Sequence, residues 1–140
     1  MRRVAEFMTR TVSTLRESDT VETARRVMEA GQIRHLPIVD GDGRLAGIVS
    51  DRDLARAEGA GQPVRELMTV EVETVAPDTH LTEAALLLIR DRIGSLPVCD
   101  RDGKVVGIVT ESDFVRLSYQ LLGGADLDER LLEEHESEKL

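Results

Sequence analysis

Two short segments carry a hydroxyl and a carboxylate at the same spacing. Ser50-x-x-Asp53 and Thr110-x-x-Asp113 each follow the run Gly-Ile-Val and open a stretch with helical spacing, and Ser112 adds a hydroxyl to the second segment. A carboxylate can accept hydrogen bonds from two adjacent sugar hydroxyls, and a hydroxyl beside the N–H groups of a helix start suits a phosphate or sugar oxygen. The same pattern is also that of a helix capping box, so capping, ligand binding or both stay open.

Both segments belong to an internal duplication. Residues 4–57 align with residues 64–117 at a constant offset of 60 without a gap, and 18 of the 54 pairs are identical. We therefore divide the chain into repeat 1 (residues 1–60) and repeat 2 (residues 61–120). Because a unit of about 60 residues buries too little surface to be comfortably stable alone, we expect the two repeats to share a core.

The remaining residues, 121–140, have a different pattern. The last helix of repeat 2 continues into them, breaks at Gly123-Gly124, and is followed by a strongly acidic tail. Leu127, Leu131 and Leu132 have the spacing of a short helix within this tail.

The spacing of apolar residues predicts strand, helix, strand, strand, helix in each repeat. The first helix of repeat 1 runs from about Thr20 to Gly31 with Asp19 as its N-cap. Its counterpart in repeat 2, residues 81–91, is apolar over a wider arc, so we expect it to be the more deeply buried of the two. The second helices begin at Ser50 and Thr110.

The strands of each repeat are short. Residues 12–15 and 72–75 are the first extended segments, and the two later strands are joined by Asp-Gly pairs at 42–43 and 102–103, which suit a tight hairpin turn. The DGDG sequence around Asp42 also resembles the start of a calcium loop, but the glutamate at its twelfth position is missing, which favours the hairpin.

The composition excludes several classes of function. A net charge of −9 disfavours binding to nucleic acid or anionic lipid, and with two Phe, one Tyr and no Trp the stacking platforms of single-strand binders are missing. Cys99 is the only cysteine, which excludes an intramolecular disulfide, and we expect it to be a small hydrophobe on a buried strand. The three histidines lack metal-ligand spacing. With no apolar run that suits a membrane span or signal peptide, we expect a cytoplasmic protein.

The order of these motifs resembles the cystathionine-β-synthase (CBS) domain family. The matching features are Met-Thr near the start of each repeat, a Pro-containing strand ending in Asp, an Asp-Gly turn, and Gly-apolar-apolar-Ser/Thr-x-x-Asp. The resemblance covers about residues 4–117. It implies an α/β (α+β) fold in which two βαββα repeats pack sheet to sheet as one pseudo-two-fold disc, a Bateman module, with two symmetry-related clefts for adenosine-containing ligands.

By this resemblance, each cleft combines the Ser/Thr-x-x-Asp segment of one repeat with the Ile-x-x-Leu-Pro segment of the other. The isoleucines would flank the adenine and the aspartates would bind the ribose. One cleft would be formed by Ile33, Arg34, His35, Ile108, Thr110, Ser112 and Asp113. Its twin would be formed by Ile93, Gly94, Ser95, Ile48, Ser50, Arg52 and Asp53.

The two predicted clefts differ in charge. The first contains Arg34, together with His35 when it is protonated, to meet phosphates, whereas the second offers Gly94 and Ser95 at those positions. We therefore expect the first cleft to prefer the more phosphorylated ligand and to bind more tightly.

The resemblance implies a stand-alone regulatory module that binds AMP, ADP or ATP and signals to a partner protein that the sequence does not identify. No prosthetic group is implied, and S-adenosylmethionine and NADH also present adenosine. The alternative is a ligand-free module that works by oligomerisation. An enzyme is disfavoured, because no nucleophile–base–orienter set recurs and no Walker-type glycine loop is present. We expect a homodimer, because the four helices should expose apolar sides that a second disc would cover.

Overall fold

The computed structural model describes residues 2–124, in which the same set of elements occurs twice. A single turn of 3-10 helix opens each set, at Val4–Glu6 and Val64–Glu66. The elements that follow are α1 (Val21–Gly31), β1 (His35–Val39), β2 (Leu45–Ser50), α2 (Asp51–Leu54), α3 (Leu81–Asp91), β3 (Ser95–Cys99), β4 (Val105–Thr110) and α4 (Glu111–Leu121). This order confirms the mixed α/β (α+β) class.

The Asp-Gly hairpins are present in both repeats. Strand β1 pairs antiparallel with β2, and β3 pairs antiparallel with β4. Gly43 and Gly103 have φ angles of 83° and 81° at the turns, a region that glycine adopts without steric cost. The carboxylate of Asp40 accepts hydrogen bonds from the N–H groups of Asp42 and Arg44, which hold the pKa of that carboxyl below its ordinary value. The turn is therefore fixed by its own aspartate.

The two hairpins also join each other at their tips. The N–H of Leu45 donates to the carbonyl of Gly103 at 3.0 Å, and the N–H of Val105 donates to the carbonyl of Gly43 at 3.1 Å. This reciprocal pair of bonds relates the two repeats by a pseudo-two-fold axis.

The first predicted strands are shorter than expected. In residues 12–15 and 72–75 only Leu15 and Val75 form a bridge, each parallel to a neighbouring strand. The N–H of Leu15 donates to Pro37, and its carbonyl accepts from Val39. Each segment thus contributes one residue to a sheet, and the side chain of that residue, Leu15 or Val75, is buried in the core. The other residues of each segment form no strand.

The N-cap of α1 differs from the prediction. The hydroxyl of Thr20 accepts from the N–H of Thr23 at 3.2 Å, so Thr20 caps the helix. Asp19 instead accepts from the N–H of Arg16 at 2.7 Å and closes the turn before the helix. The prediction that Asp19 is the cap was wrong by one residue.

Helix α3 is not more deeply buried than α1. Each helix buries three apolar side chains at corresponding positions, which are Val21, Ala24 and Met28 in α1 and Leu81, Ala84 and Leu88 in α3. The additional apolar residues of α3, Leu86 and Ile89, are exposed. The wider apolar arc therefore lies on the outer surface, and the expectation of deeper burial was wrong.

The expectation that all four helices expose apolar sides was also wrong in part. The outer side of α1 carries the exposed ion pair between Arg26 and Glu22, and α2 has only four residues. Exposed large apolar side chains lie on α3 and α4 instead. Helix α4 ends at Leu121, and Gly123 follows with a φ of 94°, which agrees with the predicted break. The predicted helix around Leu127, Leu131 and Leu132 lies outside the described residues.

The two cores exchange their opening segments, which we call arm 1 (residues 4–9) and arm 2 (residues 64–69). Val4 and Met8 of arm 1 are buried in the cluster formed by repeat 2, and Val64 of arm 2 is buried in the cluster formed by repeat 1. Each core therefore contains residues from both repeats. The division of the chain at residue 60 stays a prediction.

Each arm is held by a close contact with a glycine on the opposite repeat. A β-carbon on Gly107 would stand 2.5 Å from Sδ of Met8, and one on Gly47 would stand 2.8 Å from Sδ of Met68. The two glycines occupy equivalent positions in the repeats. Because glycine has no side chain, each methionine can lie directly on the backbone of the strand.

Two further findings concern the other sequence predictions. Cys99 is half-buried at the end of β3, and burial together with the charge of Asp100 raises the pKa of its thiol. The other four residues of β3 are buried, as expected for this strand, and Cys99 lies at its less buried end, where the raised pKa leaves the thiol unreactive. Within residues 2–124 no helix is both long enough and apolar enough to cross a membrane.

Candidate functional site

The starts of α2 and α4 are capping boxes. At α2 the N–H of Ser50 donates to Oδ2 of Asp53 at 2.8 Å, and the N–H of Asp53 donates to the hydroxyl of Ser50 at 3.1 Å. At α4 the N–H and hydroxyl of Thr110 donate to Oδ2 of Asp113, at 2.8 and 3.3 Å. The capping reading of the Ser/Thr-x-x-Asp motif is therefore correct, and ligand binding would have to use the same carboxylates.

The carboxylate of Asp53 has a second partner. Nη2 of Arg56 donates to its Oδ1 at 2.9 Å, and the Asp53 side chain is only 14% exposed. Sequence reasoning missed Arg56, although Arg56 and Arg116 are one of the identical pairs at the offset of 60. A ligand hydroxyl that bound Asp53 would have to share this carboxylate with Arg56 or displace it.

Each Ile-x-x-Leu-Pro segment lies beside the motif of its own repeat. In repeat 1, His35 is opposite Ser50 in the hairpin, and the N–H of Asp51 donates to the carbonyl of Arg34 at 3.0 Å. In repeat 2, the N–H of Glu111 donates to the carbonyl of Gly94 at 3.2 Å. The backbone at each helix start is therefore tied to the residues that precede the first hairpin strand.

A contact between the repeats brings these two groups together. The imidazole of His35 lies against Gly94, so close that a β-carbon on Gly94 would stand 2.7 Å from Cε1 of the ring. Burial lowers the pKa of His35, while the negative charges of Asp51, Asp53 and Glu111 raise it in part and Arg34 lowers it. His35 is therefore close enough to the acidic residues at the starts of both α2 and α4 for their charges to act on it.

The other predicted residues differ in exposure. Ile33 and Ile93 are half-buried and pack against the core of their own repeat. Arg34, Arg52 and Ser112 are exposed. The half-buried group further comprises His35, Ile48, Ser50, Asp53, Gly94, Ile108, Thr110 and Asp113.

Ser95 stands apart from the other candidates. It is 5% exposed, and its Oγ has no hydrogen-bond partner among the described residues. It occupies the position in repeat 2 that His35 occupies in repeat 1. An unpartnered buried hydroxyl is costly, so a group that bonded to it would be stabilised there.

The arms also contribute to this region, which sequence reasoning did not anticipate. Thr9 exchanges two backbone hydrogen bonds with Ile108, at 2.9 and 3.0 Å, and Thr69 exchanges two with Ile48 at the same distances. Both isoleucines were predicted to flank a ligand, and in the structure each one is paired with the arm of the opposite repeat. The repeated Met-Thr dipeptide was the sequence signal for these arms.

The described residues form two concave regions, of which one adjoins the predicted site. The first, of about 310 Å³, lies in repeat 1 and combines the predicted residues Ile33 and Arg34 with Arg25, Asp51 and Leu54. The second, of about 770 Å³, lies around Thr79, Arg90 and Asp100 and contains none of the predicted residues. The first region is the better candidate for a ligand, because its lining includes residues of the predicted site. Within residues 2–124 no group of three or more His, Cys, Asp or Glu side chains is arranged to hold a metal ion.

Comparison with known proteins identifies the family. The model of the CBS domain matches residues 4–60 and again residues 64–119. A candidate acetoin utilization protein (AcuB) of Vibrio cholerae has a similar structure, with a TM-score of 0.82 and 42% identity over 87% of this chain and 93% of that one. CBSX2 of Arabidopsis thaliana in complex with AMP gives a TM-score of 0.79 and 32% identity over 86% of this chain and 98% of that one.

A third structure has two different ligands. The CBS domain pair of protein MJ0100, in complex with 5′-methylthioadenosine and S-adenosyl-L-methionine, gives a TM-score of 0.78 and 31% identity over 84% of this chain and 95% of that one. Among curated relatives, the chain matches homoserine O-acetyltransferase of Methanohalobium evestigatum at 35% identity over 115 residues, which is 81% of this chain and 24% of that enzyme. The chain thus spans about a quarter of the length of such relatives. With both halves matched and the paired fold shared, the chain belongs to the CBS domain family and is a tandem CBS pair.

Proposed function

We propose that this CBS pair is a cytoplasmic regulatory module that binds adenosine-containing ligands, AMP, ADP or ATP, between its repeats. The observation that carries the proposal is the convergence of two equivalent helix starts, at Ser50 and Thr110, on the contact between His35 and Gly94. Each start offers a hydroxyl, a carboxylate and backbone N–H groups. Two relatives that share the paired fold have AMP, or methylthioadenosine and S-adenosylmethionine, bound.

The proposed ligand positions follow from this arrangement. Asp113 and Asp53 would each bind a ribose diol, and the half-buried isoleucines would supply the apolar walls for adenine. His35 lies against Gly94, whose carbonyl accepts from the N–H of Glu111 at 3.2 Å, and this contact supports a cleft that combines residues 33–35 with the start of α4. Arg34 is exposed at the edge of that cleft, where a guanidinium could meet phosphates.

Regulation requires that the ligand favour one state of the module over another. We propose that occupancy changes the affinity of the CBS pair for a regulated protein, whose identity the chain does not specify. S-adenosylmethionine and NADH remain alternative ligands, because both contain the adenosine that the proposed contacts would recognise.

One observation favours a second function, that of a structural module without a ligand. Both motif aspartates are already used in capping boxes, and Asp53 is also paired with Arg56. A CBS pair of this kind would act only through its surfaces.

A ligand panel separates the two functions. The melting temperature is measured with AMP, ADP, ATP, S-adenosylmethionine, NADH and a cyclic dinucleotide, each in large excess. A ligand at about 100 times its dissociation constant stabilises the native state by about 2.7 kcal/mol, which raises the melting temperature by several degrees. If none of the six ligands shifts the melting temperature, the structural function is correct.

The positive result can be assigned to the ribose contact with a matched ligand. We compare AMP with 2′-deoxy-AMP on the wild type and on Asp113→Ala by calorimetry. If Asp113 binds the diol, the variant loses more affinity for AMP than for the deoxy ligand, because the deoxy ligand already lacks the bond from the 2′-hydroxyl and keeps only the one from the 3′-hydroxyl. Equal losses for both ligands would mean that Asp113 acts only through the helix cap.

A further inference from the structure

The larger of the two concave regions lies in repeat 2, and we call it the hairpin groove. It has a volume of about 770 Å³, which is within the usual range of small-molecule sites. Three segments of repeat 2 line it, which are residues 73–76, the side of α3 with Glu83 and Arg90, and the end of the β3–β4 hairpin at Asp100 and Arg101. None of these residues belongs to the proposed adenosine site.

The equivalent surface of repeat 1 is covered by an arginine of the chain itself. At the offset of 60, Arg16 is the counterpart of Ala76. Nη2 of Arg16 lies against Gly41 in the hairpin turn, 3.3 Å from where a β-carbon on that glycine would stand. Backbone hydrogen bonds are the main cause that lowers the pKa of Asp40, and the charge of Arg16 also contributes. A guanidinium beside the hairpin turn and its aspartate is thus part of the fold of repeat 1.

Repeat 2 keeps the aspartate but not the arginine. Oδ1 of Asp100 accepts hydrogen bonds from two N–H groups of its own turn, at 2.9 and 3.0 Å, in the same way as Asp40 does in repeat 1. Ala76 takes the place of Arg16, and because its side chain ends at the β-carbon, it leaves the hairpin groove open. Repeat 2 therefore offers the aspartate at which repeat 1 holds a guanidinium.

The charges of the hairpin groove favour a cation. Its lining carries three carboxylates, which are those of Glu73, Glu83 and Asp100. Arg90 also lines the groove, but it donates to the carboxylate of Asp91 from Nε at 3.0 Å and from Nη2 at 3.2 Å, so this pair adds no net charge. Among the described residues of the lining, Arg101 is then the only cation set against three carboxylates.

We propose that the hairpin groove binds a guanidinium group beside Asp100, as repeat 1 holds its own Arg16 beside Asp40. The two turn bonds use Oδ1 of Asp100, which leaves Oδ2 to accept from the ligand, and hydrogen bonds between charged groups are the stronger kind. The half-buried Leu87 and Cys99 also line the groove, where they would cover the methylene chain that carries the guanidinium. The proposal does not depend on adenosine binding.

An NMR titration of the full chain with agmatine, a free guanidinium compound, tests the proposal. We expect the amide signals of residues 73–76 and 99–103 to shift and to saturate with a dissociation constant of about 1 mM or below. The signals of the equivalent residues 13–16 and 39–43 should stay unchanged. Butylamine, which has the same charge without the planar group, should bind at least about 3-fold more weakly.

Two sources present this chemistry, a free arginine derivative and an arginine side chain of a partner protein. A Gly-Arg-Gly peptide with blocked ends distinguishes them in the same titration. Tighter binding of the peptide than of agmatine assigns the group to a protein side chain, and weaker binding assigns it to a small molecule.

Substitutions on both sides of the hairpin groove give the sharper test. Ala76→Arg rebuilds the arrangement of repeat 1 and should weaken agmatine binding by about 10-fold or more, because its own guanidinium competes for the groove. Asp100→Asn keeps the acceptor of the turn but removes the charge, and should weaken binding by about 10-fold. Its matched control is Asp40→Asn, at the equivalent position of repeat 1, which should leave the affinity unchanged. Circular dichroism checks that each variant is folded.

Arg101→Gly adds a variant from which a gain is expected. It removes the cation that competes with the ligand and places the glycine of repeat 1 at this position, so agmatine should bind at least about 3-fold more tightly. Weaker binding by Arg101→Gly would show that the groove takes an anion and would overturn the proposal. So would equal losses in Asp100→Asn and Asp40→Asn, or a wild type that shows no saturable shift with agmatine at about ten times the expected dissociation constant.

Discussion

The imidazole of His35 lies on the backbone of Gly94 across the boundary between the repeats, with room for a hydrogen but not for a β-carbon. A β-carbon on Gly94 would stand 2.7 Å from Cε1 and 3.2 Å from Nε2 of the ring. Any other residue at position 94 would therefore require the imidazole of His35 to move from this position.

Gly94→Ala should therefore reduce stability. We expect a loss of about 1–3 kcal/mol, because the added methyl must displace the ring from a packed position. In a His35→Ala background the same change should cost less than about 0.5 kcal/mol, since the clash has gone. Urea unfolding of the four proteins measures the coupling. An equal cost in both backgrounds would contradict the contact, and Arg34→Ala, at the equivalent position of repeat 1, serves as a control.

Acid should destabilise the protein in part through His35. Burial lowers the pKa of this histidine below its ordinary value of 6.5, so the unfolded chain binds a proton more readily than the native state does. Stability should then fall as the pH falls through about 6.5 and level off below the native pKa. His35→Gln removes this contribution. Between about pH 7.5 and about pH 5.5, the free energy of unfolding should decrease less for the variant than for the wild type. If it changes with pH by the same amount in both proteins, His35 is not responsible.

The exchange of arms predicts one cooperative unfolding transition. Val4→Ala removes apolar contacts from the core of repeat 2, and Val64→Ala removes them from the core of repeat 1, at a cost of about 1–2.5 kcal/mol each. Calorimetry should show a single transition that moves to lower temperature in both variants. Val70→Ala, at an exposed position, should change stability by less than about 0.5 kcal/mol. Two separated transitions in any of these proteins would show that the repeats unfold independently.

The two proposed clefts should differ in affinity. We expect Asp113→Ala to weaken AMP or ATP binding by about 1.5–3 kcal/mol, or roughly 10- to 150-fold, and Asp53→Ala to have a smaller effect. The physical reason is that the Asp113 cleft is the one expected to include Arg34 as a phosphate anchor, whereas His35, whose pKa is lowered by burial, would add positive charge only in acid. Arg34→Ala should weaken ATP and ADP more than adenosine, because a guanidinium contacts charge. Calorimetry on the wild type and the three variants measures each loss, and equal losses for both aspartate variants would mean equivalent clefts.

Features that depend on local chemistry could be predicted from the sequence. The Asp-Gly turns at Gly43 and Gly103, the helix starts at Ser50 and Thr110, and the register of the two repeats follow from residues that are close in the chain. The single error in a cap, Asp19 for Thr20, arose because two adjacent side chains both suit the position and only the path of the preceding turn decides between them.

Contacts between the repeats could not be predicted in the same way. Val4 and Val64 are identical residues in similar contexts, so their pattern fits the core of either repeat, and only the folded chain shows that they are exchanged. The position of His35 on Gly94 depends on the same geometry. The outward apolar residues of α3 were misread for a related reason: periodicity indicates how many apolar residues a helix has, but not whether its own repeat covers them.

The exchanged arms also affect how the chain folds as it is synthesised. The first 60 residues leave the ribosome without Val64, which completes their core, so repeat 1 has to wait for the beginning of repeat 2. Val4 and Met8 emerge earlier still, yet their burial requires strands β3 and β4, close to the end of the described chain. Arm 1 is thus synthesised well before the strands that bury it, and a ribosome that stalls between the two repeats holds a chain with this arm exposed.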